Sequence, residues 1–441
     1  MSDLASSHPP SSTAASRATT RTRFWMLAIV CVAVLINYLD RAILGIAAPS
    51  VRAEFHINAA TMGIVFSAFS WTYFAAQVPV GALLDRFGNR VIYFLALAFW
   101  SLFTLAQAAA GGVASFVGLR LGLGIAEAPC FPANSNIVAM WFPRKERARA
   151  IGAYTAAEYV GLGFLTPVLF WLLGHYGWPS LFIVTGVIGM LFALVWIAKY
   201  RDPHESQAVS ADEIALIEAG GGLTGKHVSG RKFSFADLTE LFRHRQIIGL
   251  LIGQFSVYST FVFFLTWFPT YLASARHMAW IQVGFFASLP YIAGFFGILF
   301  AGWLSDKLLH MNVPLGVARK LPVIMGLLGA STIIACNYVQ SDAVVVAILS
   351  FAFFCQAMSS SGWSVLSEIS PVGKLGLVGG LFSAAANLSG IVVPIVIGYI
   401  VQATGSFVGA LAFVGGVAFV GAISWIFVIG ELKPITMRHH G

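Results

Sequence analysis

Charge is what this chain has least of. Only 10% of its 441 residues are Asp, Glu, Lys or Arg, against about a quarter in a soluble globular protein. So little charge cannot cover a folded surface in water, which argues against a soluble domain. Histidine is missing from every long apolar run. The ten histidines, among them His56, His175, His277 and His310, fall in polar stretches or tails. Neither a His–carboxylate metal site nor a His-activated nucleophile can therefore form within the apolar runs. No metal, no cofactor and no enzyme activity are expected. The four cysteines, Cys31, Cys130, Cys336 and Cys355, all lie inside apolar runs. They read as small packing residues and imply no disulfide framework.

What is present is apolar length. Hydrophobic residues make up 58% of the chain, and runs of about 20 apolar residues, enough to cross a bilayer, recur from end to end. Twelve spans are predicted, at 24–48, 59–82, 90–110, 114–140, 150–173, 178–199, 246–272, 280–304, 320–338, 343–367, 375–402 and 406–429. The expected fold is an all-α membrane protein. The net charge of +8 invites a nucleic-acid reading, but its placement argues otherwise. Of 26 Lys and Arg, all but four lie in the tails or in loops following even-numbered spans. Arg52 and Arg276 fall in the other loops, and Arg41 and Arg120 within spans. This asymmetry is a topology signal that puts both termini in the cytoplasm. Residues 1–23, rich in Ser, Thr and Ala, read as a disordered cytoplasmic tail and not as a signal or transit peptide.

The longest polar stretch, 200–245, separates an N-terminal six-helix bundle, 24–199, from a C-terminal one, 246–430, with a short cytoplasmic tail at 431–441. Within the linker, "SADEIALIEAGGGL" predicts a short helix. Ser210 and Glu213 have capping-box spacing, and Gly220 to Gly222 end it. "RKFSFADLTELFRHR" places Phe235, Leu238, Leu241 and Phe242 on one helix face between basic ends, which suits a helix on the membrane surface. The halves echo each other. "GALLDRFGNR" carries Gly81, Asp85, Arg86, Gly88 and Arg90 after span 2, and "GWLSDK" carries Gly302, Asp306 and Lys307 after span 8. Such repeats in corresponding positions mark transporters.

Few charges are left at membrane depth: Asp40 and Arg41 in span 1, Arg120 and Glu127 in span 4, Glu158 in span 5, and Glu368 near one end of span 10. Arg120 and Glu127 are two helical turns apart and share a face. Glu127 lies about 20 Å along its span at 1.5 Å per residue, a little past the middle. Asp40 and Arg41 point about 100° apart, so one can face a helix partner while the other faces a cavity. A static ion-pair network is an expensive way to stabilise a core, whereas intramembrane ionisable groups mark substrate and ion paths. Two fixed cations suit an anionic substrate, and an Arg fork matches a carboxylate. Substrate and protein carboxylates would then compete for one Arg, which is a route to proton coupling. Asn37 and Tyr38 flank the charged pair, and Tyr73 and Gln77 lie one turn apart in span 2. Gln254 and Tyr258 in span 7, Gln356, Ser360 and Trp363 in span 10, and Ser383 and Asn387 in span 11 offer further polar groups.

"GALLDRFGNR" resembles the loop signature of the major facilitator superfamily. "NYLDR", "RLGLGIAEAPCFPANSNIVAMWFPRKERARAIG", "EYVGLGFLTPVLFW" and "TWFPTYL" resemble its anion:cation symporter branch, and within it the bacterial sugar-acid:proton symporters of the D-galactonate type. The likeness runs from about residue 24 to 430. It implies two six-helix halves around a central cavity and transport by alternating access. It implies that Asp40, Glu127 and Arg120 couple protons to transport, with Arg41 on the substrate carboxylate. It further implies Tyr38, Tyr73, Ser360 and Trp363 as sugar-chain contacts. Glu158 stands where that pattern has Gln, and Ser383 where it has Asn; both bear on which acid is carried. Gly81, Asp85, Arg86, Gly88, Arg90 and Asp306 would form the conformational gate.

The expectation is a proton-coupled importer of a sugar acid such as an aldonate, hexuronate or aldarate. It would work as a monomer in a bacterial inner membrane, with protons and lipid as its other partners and no nucleic acid. The alternatives are a carrier of another organic anion, or a substrate sensor on the same fold.

Overall fold

The computed structural model describes residues 20–224, 235–371 and 374–435. Most of the two expected tails lies outside these residues. Twelve helices among the described residues are long and apolar enough to cross a membrane. Span 1 is Thr22–Glu54, and spans 2 and 3 lie within Ala59–Gln107. Spans 4, 5 and 6 are Val113–Trp141, Arg144–Tyr176 and Pro179–Lys199. Spans 7 to 12 are Arg245–Thr266, Trp280–His310, Leu315–Tyr338, Asp342–Leu366, Leu375–Thr404 and Val408–Val428. Several spans outrun the sequence expectation. Span 1 reaches Glu54 and span 8 reaches His310, because backbone hydrogen bonding continues past the apolar stretch into interfacial residues. Spans 2 and 3 are separated by little more than Gly88, whose φ of +77° lets the chain reverse where a side chain would be strained.

Odd-numbered spans run from the face carrying the termini, here the terminal face, to the far face. The two halves meet near the far face. Ala59 donates its N–H to Gln402 at 3.1 Å, and the Phe66 and Trp267 rings pack edge to face at 5.3 Å. Gly45 lies against the Leu265 carbonyl and Gly63 against that of Pro394, so glycine is required there for backbones to approach. At the terminal face the corresponding glycines, Gly81, Gly302, Gly376 and Gly380, have open space around them. No glycine-mediated backbone contact of the far-face kind is made at these four positions.

The linker differs from expectation in two ways. Ser210 caps the helix Ala211–Ala219 by accepting from the Glu213 N–H at 3.2 Å, but Glu213 does not complete a capping box. Its carboxylate is fully buried and accepts from the Thr22 N–H at 3.0 Å, the Thr20 hydroxyl at 2.6 Å and Arg23 at 3.2 Å. The linker helix is thus tied to the start of span 1. The second helix, Phe235–Leu241, does not lay its whole apolar face on the membrane surface. Leu241 is fully buried with Ile247, Leu250 and Ile369 in the core of the C-terminal half, while Phe242 is exposed. The Phe235 side chain lies outside the described residues.

Candidate functional site

Span 4 breaks where the site needs it. Helix Val113–Glu127 ends, and Cys130–Trp141 begins after Pro129. Proline has no N–H to offer the carbonyl one turn back, and the Ile125 carbonyl accepts from Ala128 at 3.4 Å instead. Glu127 is the last residue before this break. Span 2 is drawn against span 4 by the Thr72 hydroxyl, which donates to the Leu121 carbonyl at 2.6 Å, and by Gly124, packed on the Phe69 carbonyl and Thr72. That close approach brings Phe69 and Tyr73 to the charged residues.

Arg41 donates from Nε to Glu127 Oε2 at 2.8 Å. Its guanidinium carbon lies 4.8 Å from the ring centres of Phe69 and Tyr73 and 5.2 Å from that of Tyr38. A guanidinium framed by three rings retains its cation–π attraction after losing water. Glu127 is 0% and Asp40 0% exposed, and Arg120 3%. Arg120 shares the Phe69 ring, at 5.2 Å, and makes no ion pair among the described residues. Its Nε and Nη1, and both Asp40 carboxylate oxygens, have no hydrogen-bond partner there. Asp40 faces Thr185 of span 6 and Trp100 of span 3 without reaching hydrogen-bond geometry with either. The adjacent pair thus divides: Arg41 meets Glu127 across the cavity side, and Asp40 turns into the N-terminal half.

Glu158, buried on span 5, faces Tyr38, with Arg41 beyond it. Tyr258 faces the same two residues from span 7, and Gln254 lies one turn away, buried. Tyr159 spans the halves, its ring 6.3 Å from Phe261 and 5.9 Å from Phe353, and its hydroxyl faces Gln356 and Ser360. The structure gathers Asp40, Arg41, Arg120, Glu127, Tyr38, Tyr73 and Glu158 into one cluster. The remaining expected residues have other neighbours. Trp363 is 49% exposed, its ring 4.8 Å from Phe382, and Asn387 donates to the Ser383 carbonyl at 2.9 Å. Asp85 and Arg86, just before Gly88, and Asp306, near the end of span 8, lie in helix and not in loops and are exposed; Asp85 and Asp306 make no ion pair among the described residues. Arg90 donates to the Ile197 carbonyl at 2.9 Å, holding span 3 to span 6. Phe69 and Tyr159 were not foreseen. Phe69 lies four residues before Tyr73, so helical spacing pointed to it.

Two six-span halves enclosing a buried, half-compensated charge cluster make a membrane carrier, since such clusters at the midplane serve passage and not support. Residues 30–336 match the Major Facilitator Superfamily, and the chain belongs to it. It is accordingly a multi-pass membrane transporter and not an enzyme. It is 42% identical to the D-galactonate transporter of Escherichia coli O6:H1, over 94% of this chain and 97% of that one. It is 40% identical to a probable galactarate/D-glucarate transporter of Bacillus subtilis, over 95% and 94%. A D-xylose-proton symporter structure superposes with a TM-score of 0.74 at 16% identity, covering 94% of this chain and 99% of that one, and shares the fold.

Proposed function

We propose that this chain imports a sugar acid anion together with protons by alternating access. We place it in a bacterial inner membrane, as a monomer with both termini cytoplasmic. The printed activities of its relatives, D-galactonate and galactarate/glucarate transport, support the substrate class. The observation that carries the mechanism is the Arg41–Glu127 ion pair at 2.8 Å. A substrate carboxylate entering from the cavity needs the same guanidinium that Glu127 now holds. Protonating Glu127 removes its charge and frees the fork, so a proton on Glu127 and an anion on Arg41 favour each other. Breaking such a buried pair without a replacement costs about 3–5 kcal/mol, which discourages an empty carrier from giving up the pair. Asp40, turned away from the cavity beside Arg120, holds the second proton. Tyr38, Tyr73, Glu158 and, once the halves move, Gln254, Ser360, Trp363, Ser383 and Asn387 contact the hydroxylated chain. Asp85, Arg86, Gly88 and Asp306 engage when the terminal face closes.

Transport mode separates the roles. Net uptake requires the empty carrier to return, and hence the coupling proton to leave; substrate-for-substrate exchange does not. Asn at position 40 resembles protonated Asp. In proteoliposomes, Asp40→Asn is expected to keep counterflow of labelled galactonate and to lose accumulation driven by an acid exterior. Wild-type accumulation by this variant would refute the assignment. Absence of counterflow with every aldonate, hexuronate and aldarate in the wild type would favour a sensor.

A further inference from the structure

We propose that the interior of the N-terminal half holds a chain of water molecules along span 3, reaching from Gln107 to Asp40, through which Asp40 exchanges its proton. The proposal rests on the reading of Asp40 as a proton carrier. Its physical basis is a row of three buried side chains on one helix face, each with a polar atom left without a partner among the described residues; the Gln107 amide Nε2 is itself used, donating to the Phe103 carbonyl.

Trp100, Thr104 and Gln107 are each 0% exposed. The Trp100 Nε1, Thr104 Oγ1 and Gln107 Oε1 atoms have no hydrogen-bond partner among the described residues. The three residues are four and three positions apart, so they form one stripe on the helix. The flanking positions fix its direction. Phe103 packs on Gly122 of span 4, and Leu105 on Gly186 of span 6. The stripe lies between these two directions and points into the half's core, where Trp100 faces Asp40. Gln107 is the last helical residue before the far-face loop.

A few buried polar atoms without partners are ordinary, but a continuous row ending on a carboxyl requires a partner. Buried water is that partner, since one molecule makes about three hydrogen bonds to groups otherwise left unpaired. From Trp100 to Gln107 is about 10 Å along the helix, bridged by three or four waters at about 2.8 Å spacing. The charged and polar groups facing Asp40 are Arg120 and Glu127 from span 4, Thr185 from span 6 and Trp100 from span 3, with Arg41 adjoining it in the chain. None of these makes a hydrogen bond to it. Asp40 has no exposure to the space between the halves, and Arg41, which borders that space, points about 100° away. Its proton therefore needs another way in.

Two measurements test this. Radiolytic hydroxyl labelling of the purified protein reports water held beside buried side chains. Trp267 is equally buried, but its Nε1 donates to the Pro394 carbonyl at 3.1 Å. Trp100 is expected to be oxidised several-fold faster than Trp267; equal rates overturn the water chain whatever the protein transports. Thr104→Val keeps the shape and removes the hydroxyl. It is expected to slow the initial rate of proton-driven uptake about tenfold, the change that about 1.4 kcal/mol on the proton-transfer barrier produces, with counterflow unchanged. A wild-type initial rate of proton-driven uptake in Thr104→Val, alongside loss of accumulation in Asp40→Asn, overturns the relay alone. Wild-type accumulation by Asp40→Asn overturns the assignment of Asp40 and the relay with it.

Discussion

At the residue scale, the chemistry turns on how one guanidinium is held. Arg41 is framed by Tyr38, Phe69 and Tyr73 and bonded through Nε to Glu127. Planarity matters to both contacts: a flat fork stacks on rings and presents parallel donors to a carboxylate, whereas an ammonium does neither. Arg41→Lys is therefore expected to insert and fold while losing most sugar-acid uptake. Binding of the sugar acid that the wild type carries should weaken, by calorimetry, roughly tenfold or more, the loss of about 1.4 kcal/mol or more. Uptake near the wild-type rate would remove Arg41 from the carboxylate site. The presence of these residues was legible: adjacent opposite charges in an apolar run, and a second pair two turns apart. Their partnership was not. Neighbours in sequence, Asp40 and Arg41 face different helices, and the ion pair joins positions 86 residues apart.

At the element scale, glycines decide how closely the halves approach. Gly63 of span 2 sits on the Pro394 carbonyl of span 11, and Gly398 on the Ala59 carbonyl. A side chain there meets backbone, which cannot rotate away, and overpacking of this kind costs about 1–3 kcal/mol. Gly63→Leu should hold the far face apart and slow transport. A cysteine introduced at Ala59, in a background lacking Cys31, Cys130, Cys336 and Cys355, should then react faster with a membrane-impermeant maleimide. Unchanged labelling and transport would mean that spans 2 and 11 separate by another route. The break in span 4 also belongs to this scale. Pro129 was visible in the sequence, but a proline inside a membrane helix kinks it by an amount that neighbours set. Only the packed helices show that the break falls just after Glu127.

At the scale of the whole molecule, the linker belongs to one half before it joins two. Glu213, buried at the start of the linker helix, binds the backbone and side chains of residues 20–23, and Arg23 also pairs with Glu146 of span 5 at 3.2 Å. Arg147 adds a bond to the Gly221 carbonyl at 2.7 Å. The helix Ala211–Ala219 should move with the N-terminal half throughout the cycle. Glu213→Ala leaves the buried Thr22 N–H and the Thr20 hydroxyl without this acceptor and Arg23 with Glu146 alone, a loss of about 1–3 kcal/mol. It is expected to lower the unfolding temperature by a few degrees, with sugar-acid affinity unchanged. A lower affinity at unchanged thermal stability would instead couple the linker to the site.

Sequence by itself determined the solvent, the number of spans and the charged residues held in the membrane. These follow from local quantities: apolar length against bilayer thickness, and the rarity of charge within it. It also pointed to the repeat of Gly-x-x-x-Asp in the two halves. Tertiary structure alone decided who pairs with whom. Glu213 left its expected cap for Thr22 and Arg23, Leu241 entered the second half's core, and Trp100 of span 3 came to face Asp40. In each case the partner comes from a distant segment, and the direction of a side chain has no meaning until helices pack. A buried polar group takes the nearest partner in space, and nearness in space is what folding creates.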